Sequence, residues 1–218
     1  LGTLNANGRQ ELYVYALTRS GRVETTNYRT VRIPSNVNVP DFVGEDFGEF
    51  YRAMFQRQVD GNRRAVFLEY AWDMNWCDPC AADPLTSAEL RQLGVFWVGD
   101  GGARGGVKAA AQNVFVTRLH LSYDAKTFPD DLRFQETGDR SNYQGRYVIQ
   151  RAWTGDMECP AAAAYRLSLA ERRTREAETV ASLTGWPLAE VMSRMPDGTA
   201  TAEEPEPWWR RLWNRGEG

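Results

Sequence analysis

The chain has 218 residues, 42% of them apolar and 12% aromatic, and sets 26 basic against 29 acidic residues for a net charge of −3. That is the profile of a folded globular chain and excludes disordered, collagen-like and coiled-coil readings. No apolar run approaches the roughly 18–20 residues of a membrane-spanning helix. The charge balance is also wrong for a general polyanion binder, so no nucleic-acid partner is expected.

Only Lys108 and Lys126 among the basic residues are lysine. The arginines are scattered and offset by acids, so the skew reflects a GC-rich coding genome rather than recognition chemistry. The chain starts at Leu1 without Met or an apolar leader, and strand character begins at once. It therefore reads as the interior of a longer precursor.

In chain order, Leu12 to Leu17 and Val23 to Ile33 are strand-forming runs separated by Ser20-Gly21, which predicts an antiparallel hairpin. Residues 35–43 read as loop. Phe47, Phe50, Tyr51, Met54 and Phe55 recur at helical spacing and predict a helix from Glu45 to Val59, its aromatic stripe serving as core. Ala65 to Trp72 is a nearly continuous apolar run, as in a central strand covered on both faces, and Glu69 within it needs a partner if buried. Ser87 caps a short helix to Leu93, and Val95 to Val98 reads as strand. Gly99 to Gly106 is glycine-rich, but Val107 separates it from Lys108 and Ala109 stands where a hydroxyl is needed, so it is a surface loop and no phosphate cradle.

Val114 to Tyr123, Leu132 to Gln135 and Tyr147 to Trp153 alternate as strands. Residues 161–184 form one long helix ended by Gly185, with Glu171–Arg175 and Arg172–Glu176 at pairing distance on a solvated face. A second helix runs from Pro187 to Arg194. The predicted fold is α+β: a mostly antiparallel sheet with a middle helix and C-terminal helices, in a single domain over residues 1–194.

Residues 195–206 have the Pro/Thr/Ala/Glu composition of a linker. The tail over 207–218 places Trp208, Trp209, Leu212 and Trp213 on one helical face, with Arg210 and Arg211 beside it. So short a helix is marginal alone, and its indoles carry a large apolar area. The tail is thus expected to dock on the parent domain, on another protein subunit, or on a membrane surface.

The cysteines are Cys77, Cys80 and Cys159. Trp76-Cys77-Asp78-Pro79-Cys80, after the apolar strand, resembles the thioredoxin active-site motif, which implies Cys77 as attacking thiolate and Cys80 as resolving thiol. Ala81-Ala82-Asp83-Pro84 follows where thioredoxins continue into helix, and Pro84 opposes one. A structural disulfide or thiols among the three cysteines is the plainer reading; a zinc site of Cys77, Cys80, His120 and Cys159 is the weaker metal alternative. His120 on an alternating strand reads as a hydrogen-bonded structural residue. Carbohydrate binding through Trp72, Trp76 or Trp97 has no supporting spacing, no convergent catalytic set is visible, and no cofactor is expected.

Thr26 to Thr30, Glu69 to Met74 with the Cys77/Cys80 segment, Val114 to His120, Phe134 to Thr137 and Gln144 to Val148 together resemble a bacterial domain family of unknown function found in predicted exported proteins. The resemblance spans most of residues 10–186 and implies that the chain is the C-terminal portion of a longer exported precursor, in a periplasmic or extracellular compartment. The expected function is that of a non-enzymatic exported accessory or structural domain, acting by protein binding as a subunit of a larger assembly. A thiol-disulfide oxidoreductase using Cys77 and Cys80 is the alternative.

Overall fold

The computed structural model describes residues 8–75, 85–99, 113–153 and 159–195. The fold is α+β, and the chain divides into two compact units, residues 1–37 with 52–147 and residues 38–51 with 148–218.

The first unit is built on a sheet in the order β1-β6-β5-β3, with β8 also pairing β5. Its strands are β1 (Gln10–Thr18), β3 (Arg29–Arg32), β5 (Ala65–Asp73), β6 (Phe115–Tyr123) and β8 (Tyr143–Gln144). β5 and β6 lie inside the sheet because their sequences tolerate cover on both sides, and β5 is buried at all but Tyr70 and Trp72. One face carries Val66, Leu68, Ala71, Phe115, Leu119 and Leu121, closed by Phe128. Against the opposite face lies Phe55 of α2 (Phe47–Gly61), edge-on to Phe67 at 5.3 Å.

The expected hairpin does not form. β1 pairs antiparallel with β6, β2 (Val23–Thr25) pairs with β7 (Phe134–Glu136), and β3 runs parallel to β5. The reason lies in the Ser20-Gly21 turn. Glu136 accepts the backbone N–H groups of Arg19 and Ser20, and a Cβ at Gly21 would stand 2.5 Å from the Asp139 carbonyl oxygen. The turn therefore packs on a segment more than a hundred residues away instead of closing on itself.

Val95 to Val98 is not a strand; Val95 and Val98 are buried with Leu90 and Val114 beside α3 (Ser87–Gln92). That helix is capped by Thr86, not Ser87: the Thr86 hydroxyl accepts from Glu89 N–H while the Glu89 carboxylate returns to Thr86 N–H, a reciprocal capping box.

In the second unit, the segment read as loop contains β4 (Val37–Val39) and α1 (Phe42–Glu45), and β4 pairs with β9 (Tyr147–Ile149). The long helix is α4 (Ala162–Thr184), closed by Gly185 in the left-handed conformation at φ 80°. It packs with α5 (Leu188–Arg194), and Ala177, Val180 and Val191 of the two helices are buried. Arg194 lies with its guanidinium 4.7 Å from both the Phe42 and the Trp186 rings, and bonds Asp46 and Glu49 at 2.9 Å each.

Candidate functional site

Among the described residues, a cluster of ionisable groups sits on the α2-facing side of the sheet. Pairing between β5 and β6 shifts register between Leu68 and Tyr70, so Glu69 is the bulged residue. A bulge turns its side chain out of the regular alternation. Here it brings the Glu69 carboxylate to 2.7 Å from His120 Nδ1 and 2.7 Å from Arg118 Nε. Glu11, across β1, meets His120 Nε2 at 2.6 Å. Both histidine nitrogens thus face carboxylate oxygens.

The ring of His120 is covered on both faces, by Tyr13 at 4.1 Å and by Phe55 at 3.6 Å, and is 2% exposed. Glu69 is 6% exposed, which answers its need for a partner. Burial first, then the nearby Glu69 charge, hold the Tyr13 phenol above its ordinary value. Burial also pushes Tyr143 up to about 12, and its hydroxyl donates to the Ile33 carbonyl. These tyrosines stay neutral at physiological pH.

Chemically, the cluster is a hydrogen-bonded strut. The imidazole has both nitrogens and both faces engaged, so it is poorly placed to take a proton from an outside substrate. Among the described residues, no three His, Cys, Asp or Glu side chains are placed to hold a metal ion.

What the same sheet presents to solvent is different. Glu11, Tyr13 and Tyr15 point to one side of β1, opposite Ser122, His120 and Arg118. Tyr15 is 64% exposed and Tyr13 45%. The Arg118 guanidinium lies over both rings, at 4.9 Å from Tyr13 and 5.7 Å from Tyr15. Next in this row, Tyr70 stacks on Trp72 at 5.9 Å. Glu11, Tyr13, Tyr15 and Arg118 escaped the sequence reading. Their signal was an alternation of aromatic and charged residues on strands whose pairing was not yet known.

Of the residues singled out from sequence, His120 is in this cluster and Cys159 is an exposed free thiol in the second unit. Cys77 and Cys80 lie outside the described residues, as do Trp76 and the tail residues Trp208, Trp209, Arg210, Arg211, Leu212 and Trp213. Trp97 donates its indole N–H to the Asn113 carbonyl at 3.1 Å.

A model of a family described as an uncharacterized protein conserved in bacteria (DUF2330) matches residues 1–135. That stretch contains β1, β5 and β6 and hence every member of the cluster; the Gln144 to Val148 segment lies beyond it. No curated protein and no solved structure matches the chain.

Proposed function

The chain belongs to this bacterial family, and for it we propose a binding role: a non-enzymatic, exported accessory domain that works by docking on protein, as one subunit of a larger assembly. The observation that carries this reading is the contrast on one sheet face. Its histidine is sealed between two rings and two carboxylates, whereas Tyr13 and Tyr15 are exposed, with the half-buried Arg118 guanidinium over both of their rings. Tyr and Arg are the residue types that anchor protein interfaces, because each buries a large area while keeping a polar end. The periplasmic or extracellular compartment, and membrane-surface contact through the tail, rest on the sequence pattern and belong to the same proposal.

The test is affinity isolation of the full chain from its native cell envelope, beside a Tyr13→Ser/Tyr15→Ser variant and a chain lacking residues 205–218. A defined protein recovered in fixed proportion with the parent chain, and lost from the double variant, supports the reading. Recovery of the chain alone, and as a monomer, in all three cases overturns it. Loss on tail deletion alone moves the docking surface to the Trp-rich segment.

A further inference from the structure

We infer that β1 is the seat of a homodimer, pairing antiparallel with β1 of a second copy about a two-fold axis through Tyr15. This rests on the protein-binding reading and names the partner as the chain itself. β1 is nine residues long and hydrogen-bonds β6 on one side; among the described residues no strand pairs with its other side. A long open edge is a template for another strand, and soluble proteins usually blunt it with Pro, Lys, a bulge or an outward charge. Gln10–Thr18 has neither Pro nor Lys, pairs with β6 in unbroken register, and turns its one charge, Glu11, onto His120.

The burial pattern shows what the edge lacks. Leu12 and Val14 pack against the core yet are only half-buried, while Leu119 and Leu121 beside them on β6 are fully buried. A neighbouring strand would cover them.

Charge then selects both occupant and register. With Tyr15 on the axis, Val14 faces Ala16 of the second copy, Tyr13 faces Leu17, and Glu11 faces Arg19. The apolar side chains of the core face continue across the junction, the two Tyr15 rings meet, and on each side Glu11, half-exposed beside its His120 contact, comes opposite Arg19. Centring on Tyr13 or Val14 instead sets Glu11 against Tyr15 or Leu17 and gives the exposed Arg19 no acid. The same strand therefore supplies both halves of a complementary pair, as an isologous interface requires.

The experiment combines sedimentation of the full chain over micromolar to near-millimolar concentration with register-specific cross-linking. Opposed Cα atoms in an antiparallel pair lie roughly 4.5–5.5 Å apart, inside the range of about 4.4–6.8 Å that a disulfide spans. The Tyr15→Cys variant should therefore form a disulfide between its two introduced thiols, identified by peptide mapping. Tyr13→Cys should not, because its counterpart lies about 13 Å away along the strands. The parent chain should show a monomer–dimer equilibrium, weakened at least tenfold by Tyr15→Glu and also by Arg19→Glu. Tyr15→Glu sets like charges on the axis but leaves Arg118 a partner, so the monomer keeps its fold. A monomer at every concentration, a dimer indifferent to Tyr15→Glu, or cross-linking at position 13 and not at 15 overturns the proposal. If the chain is monomeric but a different protein is recovered with it, self-pairing falls and the binding role stands; if neither is found, both fall.

Discussion

The rings of Phe55 and His120 lie 3.6 Å apart and within 6° of parallel, so α2 is seated on the sheet over a histidine already held by Glu69 and Glu11. This couples helix docking to a buried ionic cluster. Removing Glu69 strips the Arg118 guanidinium of its buried carboxylate and His120 Nδ1 of its hydrogen-bond partner, and breaking such a buried pair from one side costs about 3–5 kcal/mol. Glu69→Ala should therefore lower the urea midpoint sharply at unchanged slope. A double-mutant cycle with His120→Leu should show a coupling of at least ~1 kcal/mol. Additive effects would mean that the two groups touch without interacting.

Asp73 is one of the carboxyls of the first unit held below their ordinary range, with Asp124, Glu136 and Asp139, and the one among them that is buried. Burial pushes its carboxyl upward, but the Asn75 backbone N–H at 3.0 Å and the Arg140 guanidinium at 2.6 Å outweigh this and hold it below its ordinary range. A carboxyl lowered on folding adds stability above its unfolded value, near ~3.9, and loses it as pH falls through the folded value. Asp73→Asn should flatten the acid limb of stability against pH, measured by denaturant titration from about pH 2 to pH 6. An unchanged limb would show that another carboxylate governs it.

Glu176 predicts the opposite sign. It is 6% exposed on α4, with Arg172 Nε 3.5 Å away, and burial holds its carboxyl above the ordinary value. Its charged form is disfavoured on folding, so stability is lost as pH rises from the unfolded value through the raised folded one. Glu176→Gln should raise the midpoint of thermal unfolding at neutral pH by roughly 2–4 °C, as ~1 kcal/mol does for a chain of this size. The gain should vanish below about pH 4, where the parent carboxyl is protonated in both states. A gain of equal size at all pH values would refute the electrostatic cause.

Arg194 is held by shape as well as charge, between the Phe42 and Trp186 rings and across from Asp46 and Glu49. A lysine keeps the charge but not the flat guanidinium that stacks on both rings. Arg194→Lys should destabilise the second unit by about 1–2 kcal/mol, with Trp186 fluorescence as the reporter. A silent substitution would show that charge alone suffices.

The long or strongly periodic elements were legible in the chain. The apolar run became β5, the alternation at Val114 to Tyr123 became β6, and α4 ended at Gly185 as its pattern required. Pairing was less legible. The Ser20-Gly21 turn has hairpin chemistry, but the groups that hold it, Glu136 and Asp139, lie more than a hundred residues downstream. Glu69 was recognisable as needing a partner and His120 as hydrogen-bonded, yet their meeting depends on a bulge that no local pattern marks. Tyr13, Tyr15 and Arg118 became a row only once β1 was known to lie beside β6.

Amide hydrogen exchange along Gln10–Thr18 tests the binding account most directly. In the dilute isolated chain, the β1 amides that face away from β6 should exchange at nearly solvent rates; in the assembly taken from the cell envelope the same amides should be strongly protected, with β6 unchanged. Identical exchange across β1 in the two states would contradict the account, because a docking strand cannot be occupied without sheltering its own edge.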